Sequence, residues 1–153
     1  MRVEIKVLDP RLHEWGLPSY QTAGASAIDL IACIDGDLLI RPQAPAVLIP
    51  SGIALFCDTA GIAGLVLPRS GLGHKKGLVM GNSVGLIDSD YTGQIQISAW
   101  NRNPPGSDPI LIRSGERIAQ MMFVPVLHPE FALVQAFSGE TDRGGGSFGS
   151  TGS

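Results

Sequence analysis

The chain is short of charge, of aromatics, of cysteine and of long apolar runs, and each shortage removes a class of function. Only 16% of its 153 residues are charged, with 11 Lys and Arg against 14 Asp and Glu, a formal net charge of −3. Gripping a nucleic-acid backbone needs a surplus of cations to neutralise phosphates. General nucleic-acid affinity is therefore excluded, and any phosphate contact must be local. So low a charge fraction beside 44% hydrophobic residues leaves little solvated surface, which points to an assembly that covers part of it. Cys33 and Cys57 stand far apart, without a CxxC or a histidine pair. That is the pattern of buried thiols in a reducing compartment, not of a disulfide framework. No apolar run approaches the roughly 20 residues that cross a bilayer, and Met1-Arg2-Val3-Glu4 does not open a signal peptide. A soluble, cytoplasmic chain with neither membrane nor nucleic acid as partner is expected.

Glycine and proline, by contrast, are plentiful. Twenty glycines and 11 prolines interrupt helical periodicity, and what recurs between them is short β-rich runs. The clearest are residues 3–8, 46–49, 52–56, 63–67, 94–100, 110–112 and 118–126. Gln94-Ile95-Gln96-Ile97 alternates polar and apolar residues, as a half-buried strand does. Pro68 to Gly77 is the best place for a short helix, with Ser70 able to cap it. Many short strands in one domain-sized chain predict a sandwich or closed barrel. The composition changes near the end: residues 139–153 hold six glycines and one aromatic, Phe148. Such a segment buries too little to offset its chain entropy. Residues 1–138 are therefore expected to form the β-domain and residues 139–153 a flexible, glycine-rich C-terminal segment.

Five segments carry chemistry. In chain order they are Ala25-Ser26-Ala27-Ile28-Asp29-Leu30, Pro68-Arg69-Ser70-Gly71-Leu72, Gly85-Leu86-Ile87-Asp88-Ser89-Asp90-Tyr91, Gly115-Glu116-Arg117-Ile118-Ala119-Gln120, and the run from Arg143 to Gly152. The third, with Asn82 before it and Gly93 after it, predicts a β-hairpin. A hairpin mouth offers fixed backbone donors and acceptors at Gly85, Leu86 and Ile87. With Asn82 these could read a pyrimidine edge, since a wrong base would leave buried polar groups unpaired. A carboxylate titrating near roughly 3.9 is ionised at neutral pH and can take a proton from water. The residues alone do not choose between Asp88 and Asp90 for that task. On the phosphate side, Arg69 offers a planar fork of donors, Ser70 a hydroxyl and Gly71 an unshielded backbone N–H. A helix capped by Ser70 would add its open N–H groups. His13, His74 and His128 are dispersed and no carboxylates cluster as a metal cage would require. His74-Lys75-Lys76 reads as a solvated basic face.

Together the five segments resemble the trimeric dUTPase family, in its order and from residue 25 to residue 152. The resemblance implies an all-β fold, a distorted jelly-roll or β-clip barrel of short strands with one short helix, assembled as a homotrimer with C-terminal arm exchange. It implies hydrolysis of dUTP to dUMP and pyrophosphate, assisted by Mg2+ held mainly by the triphosphate and water. It places the water-activating carboxylate on Asp88, which follows Gly-x-Ile and precedes the tyrosine by three, and leaves Asp90 as a turn residue. Tyr91 would pack under the deoxyribose and exclude a 2′-hydroxyl, with Gln96 a weaker base contact through its backbone. Gln120 would reach a phosphate, and Asp29 would support the metal-water shell. Residues 139–153 would act as a lid, in which Phe148 stacks on uracil while Arg143, Ser150 and Thr151 grip phosphates. Ser147 departs from the family, which usually has glycine there. Two other readings stand beside this one: dCTP deaminase, which shares the fold, and a non-catalytic nucleotide-binding trimer.

Overall fold

A computed structural model describes residues 2–58, 60–142 and 144–145. Among them the strands are β1 (Val3–Val7), β2 (Ile28–Ile31), β3 (Leu38–Ile40), β4 (Val47–Cys57), β5 (Ile62–Pro68), β6 (Leu78–Met80), β7 (Gly85–Ile87), β8 (Gln94–Asn101), β9 (Ile110–Ile112) and β10 (Arg117–Pro125). One sheet runs β1-β4-β8-β6, a second β2-β10-β5-β7, and β3 pairs with β9 in a separate ribbon. The pairings are antiparallel. The chain is therefore all-β, two sheets facing each other in a jelly-roll-like arrangement.

Alternation makes the core. In β8, Ile95, Ile97 and Ala99 are buried while Gln94, Gln96, Ser98 and Trp100 take the other face. The inward residues meet Leu30, Ile49, Ile53, Val66, Leu78, Ile118 and Met121 in one cluster. Each large aliphatic contributes on the order of 1.5–3 kcal/mol by leaving water, so the core is what holds the site-bearing strands in register.

Four expectations need correction. The runs 46–49 and 52–56 are one strand, β4, which continues through Pro50 and Gly52 by way of a register shift between Pro50 and Ala54. The expected short helix within 68–77 is a π-helical turn at Leu72–Lys76, and among the described residues a second short helix, α1 (Leu12–Trp15), joins it where only one was expected. Ser70 does not cap that turn: Gly71 occupies the cap position and no side chain bonds there. Lastly, residues 82–93 do not form a tight hairpin. The strands that pair are β6 and β8, Leu78 opposite Asn101 and Met80 opposite Ala99. Between them the chain crosses to the other sheet, where β7 pairs with β5.

Among the described residues, strand structure ends with β10. The Val126 N–H still donates to the Gly61 carbonyl at 2.8 Å. Beyond it, Leu127, Phe131 and Phe137 are 88%, 91% and 92% exposed, so this apolar stretch lies outside the chain's own core. No helix among the described residues is long and apolar enough to cross a membrane.

Candidate active site

β10 lies between β2 and β5, and this brings three distant segments together. Gln120 stands opposite Asp29 on β2 and opposite Leu67 on β5. Arg69 leaves the end of β5 beside them. Its Nε lies 2.9 Å from Asp29 Oδ1, and its Nη1 donates to the Arg117 carbonyl at 3.0 Å. Gln120 Nε2 donates to the Pro68 carbonyl at 2.9 Å, so part of this amide serves a backbone group. Asp29 is half-buried, and its second oxygen lies 3.4 Å from Arg117 Nη1. Ser70 and Gly71 follow Arg69 into solvent. A Cβ on Gly71 would meet nothing within 4 Å, so its missing side chain answers no need inside the chain.

β7 positions the second group. Gly85 lies opposite Val66, and a Cβ on it would stand 2.9 Å from the Val66 Cβ. Ile87 in turn lies opposite Gly64. Large residues on each strand thus face glycines on the other, which lets β7 lie close against β5. Asp88 emerges immediately after this pairing and is exposed. The Tyr91 N–H donates to the Asp88 carbonyl at 3.2 Å and closes the turn that holds both residues. Tyr91 Oη donates to the Gln94 carbonyl at 3.0 Å. An apolar cavity lined by Leu55, Ile62, Ile87 and Phe123 runs under Asp88 and Tyr91. Asn82 is exposed on the other side of β7, in a turn where Ser83 takes φ +65° and the Val84 N–H donates to the Asn82 carbonyl at 2.7 Å.

The two groups do not meet. The β5–β7 ladder ends at Ile87 opposite Gly64, and continued by one residue it sets Asp88 level with Ala63, six residues before Arg69. At roughly 3.3 Å per residue this is a separation of about 20 Å along one strand. Gln96 belongs to neither group: it stands opposite Pro50 on the outer face of the first sheet, where its Nε2 donates to Gln94 Oε1 at 3.3 Å. Arg143, Ser147, Phe148, Ser150 and Thr151 lie outside the described residues. Two residues without an expected role join this group: Arg117, whose Nη1 lies against Asp29, and Gln21, whose Oε1 accepts from that same Nη1 at 3.2 Å. The signal for Arg117 was its place in the fourth segment, whereas nothing local marks Gln21.

The resolved electrostatic shifts lie elsewhere. Hydrogen bonds from the Arg11 guanidinium hold the Asp9 carboxyl below its ordinary value, overcoming a burial effect that raises it. Burial pushes the neighbouring Cys33 thiol up to about 11. No group of three His, Cys, Asp or Glu among the described residues could hold a metal.

The order of these elements has a known counterpart. A family model described as dUTPase matches residues 13–152. The chain belongs to the dUTPase family. It is 52% identical to the deoxyuridine 5'-triphosphate nucleotidohydrolase of Hydrogenovibrio crunogenus, covering 100% of this chain and 98% of that one. The Salmonella arizonae protein of the same name is 51% identical, over 99% and 97% of the two chains. Among solved dUTPases, the Streptococcus mutans structure superimposes with a TM-score of 0.70 at 30% identity, covering 83% of this chain and 98% of that one. A Staphylococcus bacteriophage 80alpha dUTPase mutant with dUpNHpp gives 0.82 at 25% identity, over 99% of each chain. The dUTPase family assignment therefore rests on nearly the whole chain and on its fold.

Proposed function

We propose that this dUTPase-family chain hydrolyses dUTP to dUMP and pyrophosphate, supplying dUMP and keeping dUTP low. The observation that supports it most directly is the convergence of Asp29, Arg69 and Gln120 from three separate segments. Beside them stands Gly71, exposed, with open space where a Cβ would be, so that its backbone N–H is within reach of a ligand. Arg69, Ser70, the Gly71 N–H and Gln120 grip the phosphates. Asp88 takes a proton from the water that attacks the α-phosphorus in line, and the proton resides on its carboxylate as the pyrophosphate oxygen leaves. Gly85, Leu86, Ile87 and Asn82 read the base, aided by the Gln96 backbone, while Tyr91 packs under the sugar. The tail residues Arg143, Phe148, Ser150 and Thr151 close over the nucleotide as a lid, residues 139–153 acting as a segment apart from the domain 1–138.

Mg2+ enters with the triphosphate. The described residues offer no cage for it, whereas phosphate oxygens and water suit its octahedral preference. When bound it would offset charge and polarise the phosphorus under attack. Both Asp29 oxygens lie against guanidinium groups. That geometry favours a task of holding arginines over one in the metal's water shell.

The working unit is a homotrimer with exchanged C-terminal arms. One chain holds Asp88 and Arg69 about 20 Å apart along β5, too far for one α-phosphate, so a second copy must complete the site. The exposed side chains of Leu127, Phe131 and Phe137 give the arm an apolar face for that copy. A protein of this kind works in the cytoplasm. The test is one assay offering dUTP, UTP, dCTP and dTTP with magnesium. Pyrophosphate from dUTP alone is the expected result; ammonia from dCTP, or no turnover of any of the four, would overturn it.

A further inference from the structure

Strand β10 breaks its own alternation at one place. Met121 and Ala119 point into the core and Gln120 points out. Continued strictly, that pattern would turn Ile118 outward and bury Arg117. Instead the register shifts between Arg117 and Ala119: Arg117 pairs with Ile31, where unbroken pairing would set it opposite Ala32. Ile118 is fully buried and Arg117 is exposed. A bulge of this kind re-aims side chains, and here it moves Arg117 from the core side to the face that carries Asp29 and Gln120.

What Arg117 does on that face is specific. Its Nη1 lies 3.4 Å from Asp29 Oδ2 and donates to Gln21 Oε1 at 3.2 Å. Gln21 is held in turn through its Nε2, which donates to the Ser19 carbonyl at 3.2 Å. The other Asp29 oxygen takes Arg69 Nε at 2.9 Å, and the Arg117 carbonyl takes Arg69 Nη1 at 3.0 Å. Of the five N–H donors of Arg69, one on Nη1 is thereby tied in a hydrogen bond, while Nε lies in an ion pair with Asp29. Its plane is fixed, and Nη2 keeps two further donors for an anion. An arginine oriented in advance loses less rotamer freedom when a phosphate arrives.

We propose that Arg117 is a positioning residue for triphosphate binding. It clamps the Asp29 carboxylate so that the Asp29–Arg69 pair keeps its plane, with Gln21 bracing Arg117 from the loop after α1. The proposal rests on reading Arg69 as a phosphate ligand. Its chemistry is indirect: Arg117 acts only while Arg69 is present.

A double-mutant cycle on the full-length protein tests it, read as KM and kcat for dUTP with magnesium. Arg117→Met is expected to raise KM roughly tenfold, the size of a lost charge-assisted hydrogen bond, with a smaller change in kcat. Arg117→Lys, which keeps a cation beside Asp29, should recover most of that loss. In an Arg69→Met background, adding Arg117→Met should change KM by less than about twofold. Gln21→Leu, at an exposed loop position, should raise KM by about threefold, and only while Arg69 is present. An unchanged KM in Arg117→Met and Gln21→Leu, or effects that multiply fully with Arg69→Met, would overturn the proposal. A wild-type KM in Arg69→Met alone is a different outcome, which overturns the phosphate reading and this proposal with it.

Discussion

The Tyr91 hydroxyl donates to the Gln94 carbonyl at 3.0 Å, and the phenol lies so near Gly93 that a Cβ there would stand 2.5 Å from its oxygen. The glycine is thus a steric condition for the position of the tyrosine. Gly93→Ala must push the ring aside. If that ring is the surface that rejects a 2′-hydroxyl, the ratio of kcat/KM for dUTP over UTP falls by about tenfold or more. Tyr91→Phe loses only the hydroxyl bond, so it keeps the ratio and sacrifices about 1 kcal/mol of stability. Steady-state assays on both nucleotides decide; an unchanged ratio in Gly93→Ala removes Tyr91 from sugar selection.

Exchanging the carboxylate of Asp88 for an amide separates chemistry from binding. Asp88→Asn is expected to lower turnover by at least about 10²-fold, the usual scale of a lost general base. The affinity for dUpNHpp, measured calorimetrically, should stay within about threefold. Asp90→Asn should remain within about tenfold of wild type. Reversed results would move the base to Asp90.

Acid should expose the clamp between Asp9 and Arg11, whose Arg11 Nη2 lies 2.6 Å from Asp9 Oδ2. Because Arg11 holds the folded-state pKa of Asp9 below its unfolded value of 3.8, the stability it contributes is fully present above that value. It is lost as pH falls through the lower, folded pKa. Arg11→Met should therefore be less stable than wild type at neutral pH, with the gap closing below about pH 4. Urea midpoints across that range test this, and a gap independent of pH would contradict the account.

Gly52 is the tightest backbone position in the same region. It takes φ +73°, and a Cβ would stand 2.5 Å from Cys33 Sγ and 2.9 Å from the Asp9 Cβ. Gly52→Ala should cost about 2 kcal/mol or more in a denaturant titration, from strain and overpacking together. Adding Cys33→Ala should recover the part due to the thiol and leave the part due to φ. Full recovery would show that the backbone is not strained.

Much of this molecule was legible in its residues, for identifiable reasons. Gln94 to Trp100 alternates cleanly because one face packs on the core, so β8 stood out. β4 did not, because Pro50 and Gly52 read as strand breakers; the bulge between Pro50 and Ala54 accommodates both, which only the partner strand β8 reveals. β2 overlaps the segment noticed for Asp29, yet Ile28–Ile31 is too short for its period to register. The hairpin expectation failed because Gly85 and Gly64 draw residues 85–87 onto β5, a long-range packing effect with no local sign. For the candidate site, residue types marked Arg69 and the resemblance to the family implied Asp29 and Gln120, and the β2-β10-β5 arrangement joins them. Gln21 was invisible, since its partner Arg117 is 96 positions away.

The opposite placement of Asp88 and Arg69 along β5 carries a genetic consequence. A lesion at one end leaves the other end of the same chain intact, so the two lesions are recessive to each other. Chains carrying Asp88→Asn and chains carrying Arg69→Met, each far below wild type alone at a dUTP concentration near the wild-type KM, should regain roughly a quarter of wild-type turnover there when refolded as an equal mixture, as random closed assembly dictates. Were each site contained in one chain, the mixture would stay that low.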